Sequence, residues 1–262
     1  MYNIRVYQIQ AKRKISKLKG LFIALQFLTI IPLRPSARLE ERDIAHSMSF
    51  FPLVGMMIGG FLIIINLITS RYLSPFIANA LILIGWVGIT GAFHLDGFAD
   101  TVDGLCGGKN KEEILSIMED SFIGAKGAIA LILLLLLKFT LLVGLTNDYK
   151  DYALLFAPIA GRWSMVAGIY LSSYARKEGL AKVFFSHKTG REIFWASLIT
   201  FCLGLILFKI EFFYIIGIAL ATNLFLITYI KRRIGGLSGD NLGALNEIIE
   251  VITLFSIYYL TN

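Results

Sequence analysis

A succession of apolar runs, each close to 20 residues and separated by short charged or glycine-rich connections, constrains this chain more than any other feature. A bilayer core about 30 Å thick requires about 20 helical residues to cross it. Backbone polar groups in lipid must be satisfied inside the segment, so such runs fold as helices. Spans are expected at about 50–69, 76–93, 128–145, 153–171, 193–208, 212–230 and 244–260, seven in all. Composition agrees: 16% of residues are charged and 56% apolar, where a soluble domain carries about 25% charged residues. The expected fold is therefore all-α, a polytopic integral membrane helical bundle, with residues 1–262 as a single membrane-embedded domain.

The first apolar run, Leu21 to Leu33, is short for a span and follows Arg5, Lys12, Arg13, Lys14, Lys17 and Lys19. It leads into Pro32, Arg34 and Pro35 without a small-residue cleavage site, so it is expected to be retained as an interfacial or re-entrant helix. Gly55 and Gly59 form a small-xxx-small pair suited to close helix packing. Lys138 is expected to snorkel toward an interface. Arg162 lies near the middle of its span and should face the bundle interior beside an anion. Asn223 is expected to make an interhelical hydrogen bond.

One stretch breaks the apolar pattern: Phe93 to Gly108 is acidic and glycine-rich. If it is helical, Asp96, Asp100 and Asp103 stand at i, i+4 and i+7, within roughly 60° of one another on one stripe. Carboxylates so placed repel unless a cation sits among them, and oxygen-only donors favour Mg²⁺. A solvated charged loop is the simpler reading, but it does not require that spacing. Gly97, Gly104, Gly107 and Gly108 would let backbone N–H groups approach a phosphate. His94 lies about 200° from Asp96 on a continuous helix, so it is expected as a substrate contact and not a ligand. Asp240 lies among glycines in the 231–243 loop, just before the span carrying Glu247 and Glu250, which are one helical turn apart.

Alternation of seven spans places the N-terminal segment and the 94–125, 172–192 and 231–243 segments on one face. The Lys and Arg excess lies there, which makes that face cytoplasmic. The formal charge of +7 is clustered in this way, which points to a membrane surface and not to nucleic acid. The 172–192 loop carries Arg176, Lys177, Lys182, Lys188 and Arg191, long enough to cover a phosphate-rich substrate. The sequence leaves a homo-oligomer open.

The run from His94 to Gly104 resembles the signature of the cobalamin synthase family, the adenosylcobinamide-GDP ribazoletransferases. Met118 to Gly127 and Gly235 to Ala244 resemble that family as well. The resemblance implies transfer of the adenosylcobinamide phosphoryl group from adenosylcobinamide-GDP to alpha-ribazole or its 5'-phosphate, with release of GMP at the cytoplasmic (inner) membrane. From their shared helical stripe Asp96, Asp100 and Asp103 are the expected Mg²⁺ ligands and catalytic acids, joined by Asp240 from the same face, with Glu247 as a further ligand where its span begins close enough to reach them. His94, Gly97, Gly104, Arg162 and Lys182 are the expected substrate contacts. Two other readings are a phospholipid synthase of the CDP-alcohol phosphotransferase type and a secondary transporter. Asp100 and Thr101 occupy the Ala-Arg positions of the first, and the chain shows no internal repeat of the kind many transporters have.

Overall fold

A computed structural model describes residues 19–32 and 39–261. The basic residues 1–18 and the end of the first apolar run at Leu33, Arg34 and Pro35 lie outside the described residues. All regular elements among those described are helical, apart from one bridge between Tyr174 and Leu237. A short apolar helix α1 (Lys19–Leu28) is followed by α2 (Glu41–His46), a 3₁₀ turn (Ser47–Phe50) and α3 (Phe51–Thr69). Next come α4 (Pro75–Thr90), α5 (Phe93–Gly107), α6 (Lys111–Met118), α7 (Ala125–Gly144) and α8 (Asn147–Leu171). The short α9 (Lys182–Ser186) precedes α10 (Gly190–Phe208), α11 (Glu211–Ile234) and α12 (Gly239–Thr261).

Five helical stretches among the described residues are long and apolar enough to cross a membrane, or six if α4 and α5 together form one bent span. One of the five, residues 190–234, is a hairpin reversed at Lys209, whose φ is 49°. Both of its arms lie along α8. Trp163 Nε1 donates to Ser197 Oγ at 3.0 Å on α10, and Asn223 Nδ2 on α11 donates to the Ser164 carbonyl at 3.3 Å. Phe156 packs edge-on against both Phe208 and Phe212 near the reversal. The chain is thus a multi-pass, all-α membrane protein, with α8 and α12 as its buried centre.

Gly55 and Gly59 carry out the expected close packing. A Cβ at Gly55 would stand 2.5 Å from the Pro158 carbonyl oxygen, and one at Gly59 2.6 Å from Leu155 Cα, so α3 meets the backbone of α8 directly. Gly60 faces open space. Gly59→Leu should therefore lower the unfolding midpoint in detergent, by roughly 1–3 kcal/mol of overpacking strain, while Gly60→Leu leaves it unchanged. Equal midpoints for the two variants would contradict this interface.

The acidic segment is helical and packs on α6, α7 and α12. Gly91 and Ala92 both take positive φ, 61° and 58°, and α5 leaves α4 at 88°. α12 begins earlier than the apolar run suggests because Ser238 caps it. The Ser238 hydroxyl accepts from Asn241 N–H at 3.3 Å, and the Asn241 side-chain oxygen accepts from Ser238 N–H at 2.8 Å. This reciprocal cap puts Asp240 in the first helical turn and not in a loop.

Candidate active site

α5 has two faces. His94, Leu95, Gly97, Phe98, Thr101 and Gly104 are buried, while Asp96 is exposed and Asp100 and Asp103 are half-buried. Gly97 is where α12 arrives: a Cβ there would stand 2.8 Å from Asp240 Cα. No larger residue would let the two helices touch at this point. Asn241 Nδ2 locks the crossing by donating to Thr101 Oγ1 at 3.0 Å. Asp100 consequently feels repulsion from Asp96, Asp240 and Asp103, opposed by attraction to Arg176.

The four predicted acids do not play equal parts. Asp103 accepts backbone N–H bonds from Gly124 and Gly127, each at 2.8 Å, and so caps the N-terminus of α7. Asp240 pairs with Arg176 at 2.7 Å, and Arg176 also meets Glu119 at 3.3 Å. The carboxylates of Asp96 and Asp100 have no hydrogen-bond or ion-pair partner among the described residues.

Arg176 is the residue that sequence reasoning passed over. Its only signal was its place in the basic 172–192 loop, and charge alone could not separate it from Lys182. The structure turns Lys182 elsewhere, its ammonium donating to the Lys177 carbonyl at 2.6 Å.

Free, mutually repelling carboxylate oxygens with no sulfur or imidazole beside them suit a hard divalent cation. Among the described residues no three His, Cys, Asp or Glu side chains converge on a single metal position. The acids flank a site and do not enclose one. Glu247 lies outside that set. It pairs with Lys138 at 2.6 Å, and Lys138 reaches Glu250 at 2.5 Å. Arg162 also pairs with Glu250, and Asn246 Nδ2 donates to both glutamates at 3.2 and 3.1 Å.

These contacts, together with burial, place five residues that the sequence singled out. Lys138 does not snorkel; it is buried between two carboxylates, with the Trp86 ring 4.7 Å away. Arg162 has its expected anion in the bundle interior, and that anion is Glu250. Glu247 is an ion-pair partner of a lysine and not a ligand beside the stripe. Gly104 makes room for α6, since a Cβ there would be 2.5 Å from Met118 Cγ. His94 lies inside α5 and is 1% exposed. Its ring faces the fields of Arg162 and Lys138, and it is turned inward, away from the acids.

The matched region of the chain contains all of these parts. A sequence model described as cobalamin-5-phosphate synthase matches residues 20–258. The chain belongs to that family. Among similar proteins, the adenosylcobinamide-GDP ribazoletransferase of Clostridium novyi is 35% identical, over 92% of this chain and 96% of its own length. That of Geotalea daltonii is 37% identical, over 90% of this chain and 95% of its own. That of Desulfitobacterium hafniense is 36% identical, over 92% and 97% respectively. No solved structure matches the chain. In cobalamin-5-phosphate synthase terms, this chain joins its acid stripe to α12 through Gly97 and to α7 through Asp103.

Proposed function

We propose that this member of the cobalamin-5-phosphate synthase family transfers the adenosylcobinamide phosphoryl group from adenosylcobinamide-GDP to a hydroxyl of alpha-ribazole or its 5'-phosphate. The products are adenosylcobalamin, or its 5'-phosphate, and GMP, which completes assembly of the nucleotide loop. The observation that carries the reading is the meeting of Asp96 and Asp100 with Asp240, 140 residues apart for the last two, beside one arginine in a chain of this family. The hydroxyl oxygen forms a bond to the corrinoid-bearing phosphorus as the bridging P–O bond breaks. GMP leaves with the bridging oxygen, and the hydroxyl proton passes to a base.

Asp96 and Asp100 supply carboxylate oxygens free to hold Mg²⁺ or to accept that proton. Mg²⁺ bound there would offset the charge of the diphosphate and stabilise the charge that builds on the leaving phosphate. Arg176 orients Asp240, and its guanidinium charge would attract incoming phosphate oxygens. Asp103 holds α7 against α5, and the buried Lys138–Glu247–Glu250–Arg162 cluster fixes α12 beneath them. That cluster pairs two cations with two carboxylates and gathers them at one place, whereas a transporter would spread ionisable groups along a path across the membrane.

Purified protein in detergent, given adenosylcobinamide-GDP, alpha-ribazole and Mg²⁺, is expected to release GMP. Turnover of a CDP-alcohol with no GMP from the corrinoid substrate would favour the lipid-synthase reading instead. The Lys and Arg asymmetry also supports an inner-membrane protein with its acids facing the cytoplasm. Cysteines placed at Lys109, Lys182 and Lys231, in a background lacking the exposed Cys106 and Cys202, should be labelled only from the cytoplasmic side. Labelling of any one from outside intact cells would refute that orientation.

A further inference from the structure

A second site lies away from the acid stripe, between α2 and the start of α10. Two adjoining cavities open there. One, of about 480 Å³, is lined by Phe50, Trp195 and Ile199 together with His46, Arg191 and the carboxylates of Asp43 and Glu192. The other, of about 680 Å³, is lined by Arg42, His46, His187 and Arg191 among others. They share His46 and Arg191, so together they form one groove with an apolar end and a cationic end.

The charges at the cationic end are uncommitted. Arg42 and Arg191 have no ion-pair or side-chain hydrogen-bond partner among the described residues. The acids nearby are otherwise engaged: Asp43 with Lys19 at 2.5 Å, and Glu192 with His46 at 2.5 Å and in capping α10 through Thr189. Glu41 meets His187 at 3.5 Å and is largely exposed. Lys188 is turned away and caps the end of α8, donating to the carbonyls of Ile169 and Ser172 at 2.7 Å each.

The groove also opens at one end of the bundle. α3 begins beside it and α10 begins within it, both on the bundle end that carries the acids. The α10 face below it exposes Phe194, Trp195, Leu198 and Phe201, an apolar strip headed by a tryptophan at the level where aromatic residues mark the interface. Two free arginines above a lipid-facing apolar strip match the two halves of an anionic lipid.

We infer that this groove binds an anionic phospholipid of the leaflet on the acid-bearing side, its phosphate between Arg42 and Arg191 and an acyl chain along Trp195 and Ile199. The inference rests on the membrane reading alone and is independent of the proposed reaction. It gives the 172–192 loop a lipid at one end, while the other end holds Asp240 through Arg176.

The chain's three tryptophans make the test direct, because Trp86 and Trp163 are 3% and 8% exposed while Trp195 is 51% exposed. Full-length protein is reconstituted in phosphatidylcholine vesicles containing increasing mole fractions of phosphatidylglycerol with brominated acyl chains, and tryptophan quenching is followed. Brominated phosphatidylcholine at the same fractions is the comparison. Half-maximal quenching is expected at a lower fraction of phosphatidylglycerol, and Trp195→Phe should remove most of the signal. The double variant Arg42→Gln, Arg191→Gln should shift the phosphatidylglycerol midpoint upward at least about tenfold, toward that of phosphatidylcholine. If the double variant does not fold, Arg191→Gln alone is read in the same way. Equal midpoints for the two lipids in the parent, or an unchanged preference in the arginine variants, overturns the site. Loss of the preference on adding millimolar GMP or inorganic phosphate at constant ionic strength also overturns it, and assigns the groove to a soluble phosphate instead.

Discussion

Asp100→Asn and Asp240→Asn are each expected to lower GMP release about a hundredfold, equivalent to about 2.7 kcal/mol in the barrier, with little change in the unfolding midpoint. Asparagine keeps the size of the side chain and removes the charge that would hold a cation. Asp100 stands among Asp96, Asp240 and Asp103, so its neutralisation relieves repulsion in the free protein while weakening whatever cation binding depends on that repulsion. The Mg²⁺ concentration for half-maximal rate should therefore rise in both variants. Asp103→Asn should behave differently. An amide oxygen can accept from the N–H of Gly124 or of Gly127, and the NH₂ group cannot accept from the other, so one cap bond is lost. The expected result is a stability loss of about 0.5–2 kcal/mol, visible as a lower midpoint alongside any loss of rate. Near-parental rate and Mg²⁺ dependence in Asp240→Asn would separate α12 from the site and leave α5 acting alone.

Arg162→Leu is expected to destabilise the protein by about 3–5 kcal/mol, the largest stability effect of any single change considered. Four charges, Lys138 and Arg162 against Glu247 and Glu250, are all buried and pair with one another. Removing Arg162 leaves one uncompensated carboxylate where water does not reach. The double variant Arg162→Leu, Glu250→Leu removes one charge of each sign and leaves Lys138 paired with Glu247. It should recover much of the stability lost by Arg162→Leu, as double-variant cycles show for directly coupled charges. Thermal unfolding in detergent reads both. If the double variant is no more stable than Arg162→Leu, the lost stability comes from packing of the long side chain and not from its charge. Recovery of stability without recovery of GMP release would show that the cluster also positions α12, and with it Asp240.

The division between what sequence and tertiary structure contribute follows from the range of the interactions. The apolar runs were legible because lipid demands about 20 residues of self-satisfied backbone wherever a chain crosses, a requirement met locally. The α5 stripe was legible for the same reason: helical spacing places Asp96, Asp100 and Asp103 on one side without reference to any other segment. The Gly55–Gly59 pair and Asn223 could be assigned a packing or hydrogen-bonding role because small residues and lone polar groups in a span have few alternatives. Partner choice was not legible. Nothing in the sequence near Lys138 shows that two glutamates more than 100 residues later hold it in the interior, so the local rule of snorkelling gave the wrong place. Glu247 was expected as a further Mg²⁺ ligand because of its nearness to Asp240 in sequence, but one helical turn after another carries it below the stripe to that lysine. Arg176 and Lys182 are equivalent as charges in one loop, and only the fold of the loop over α12 distinguishes them. The sequence by itself determined the class of the fold, the helix that bears the acids and the family. The tertiary structure decided which acids are free, which are caps or ion-pair partners, and which cation meets them, because a buried charge is settled by contacts between distant segments.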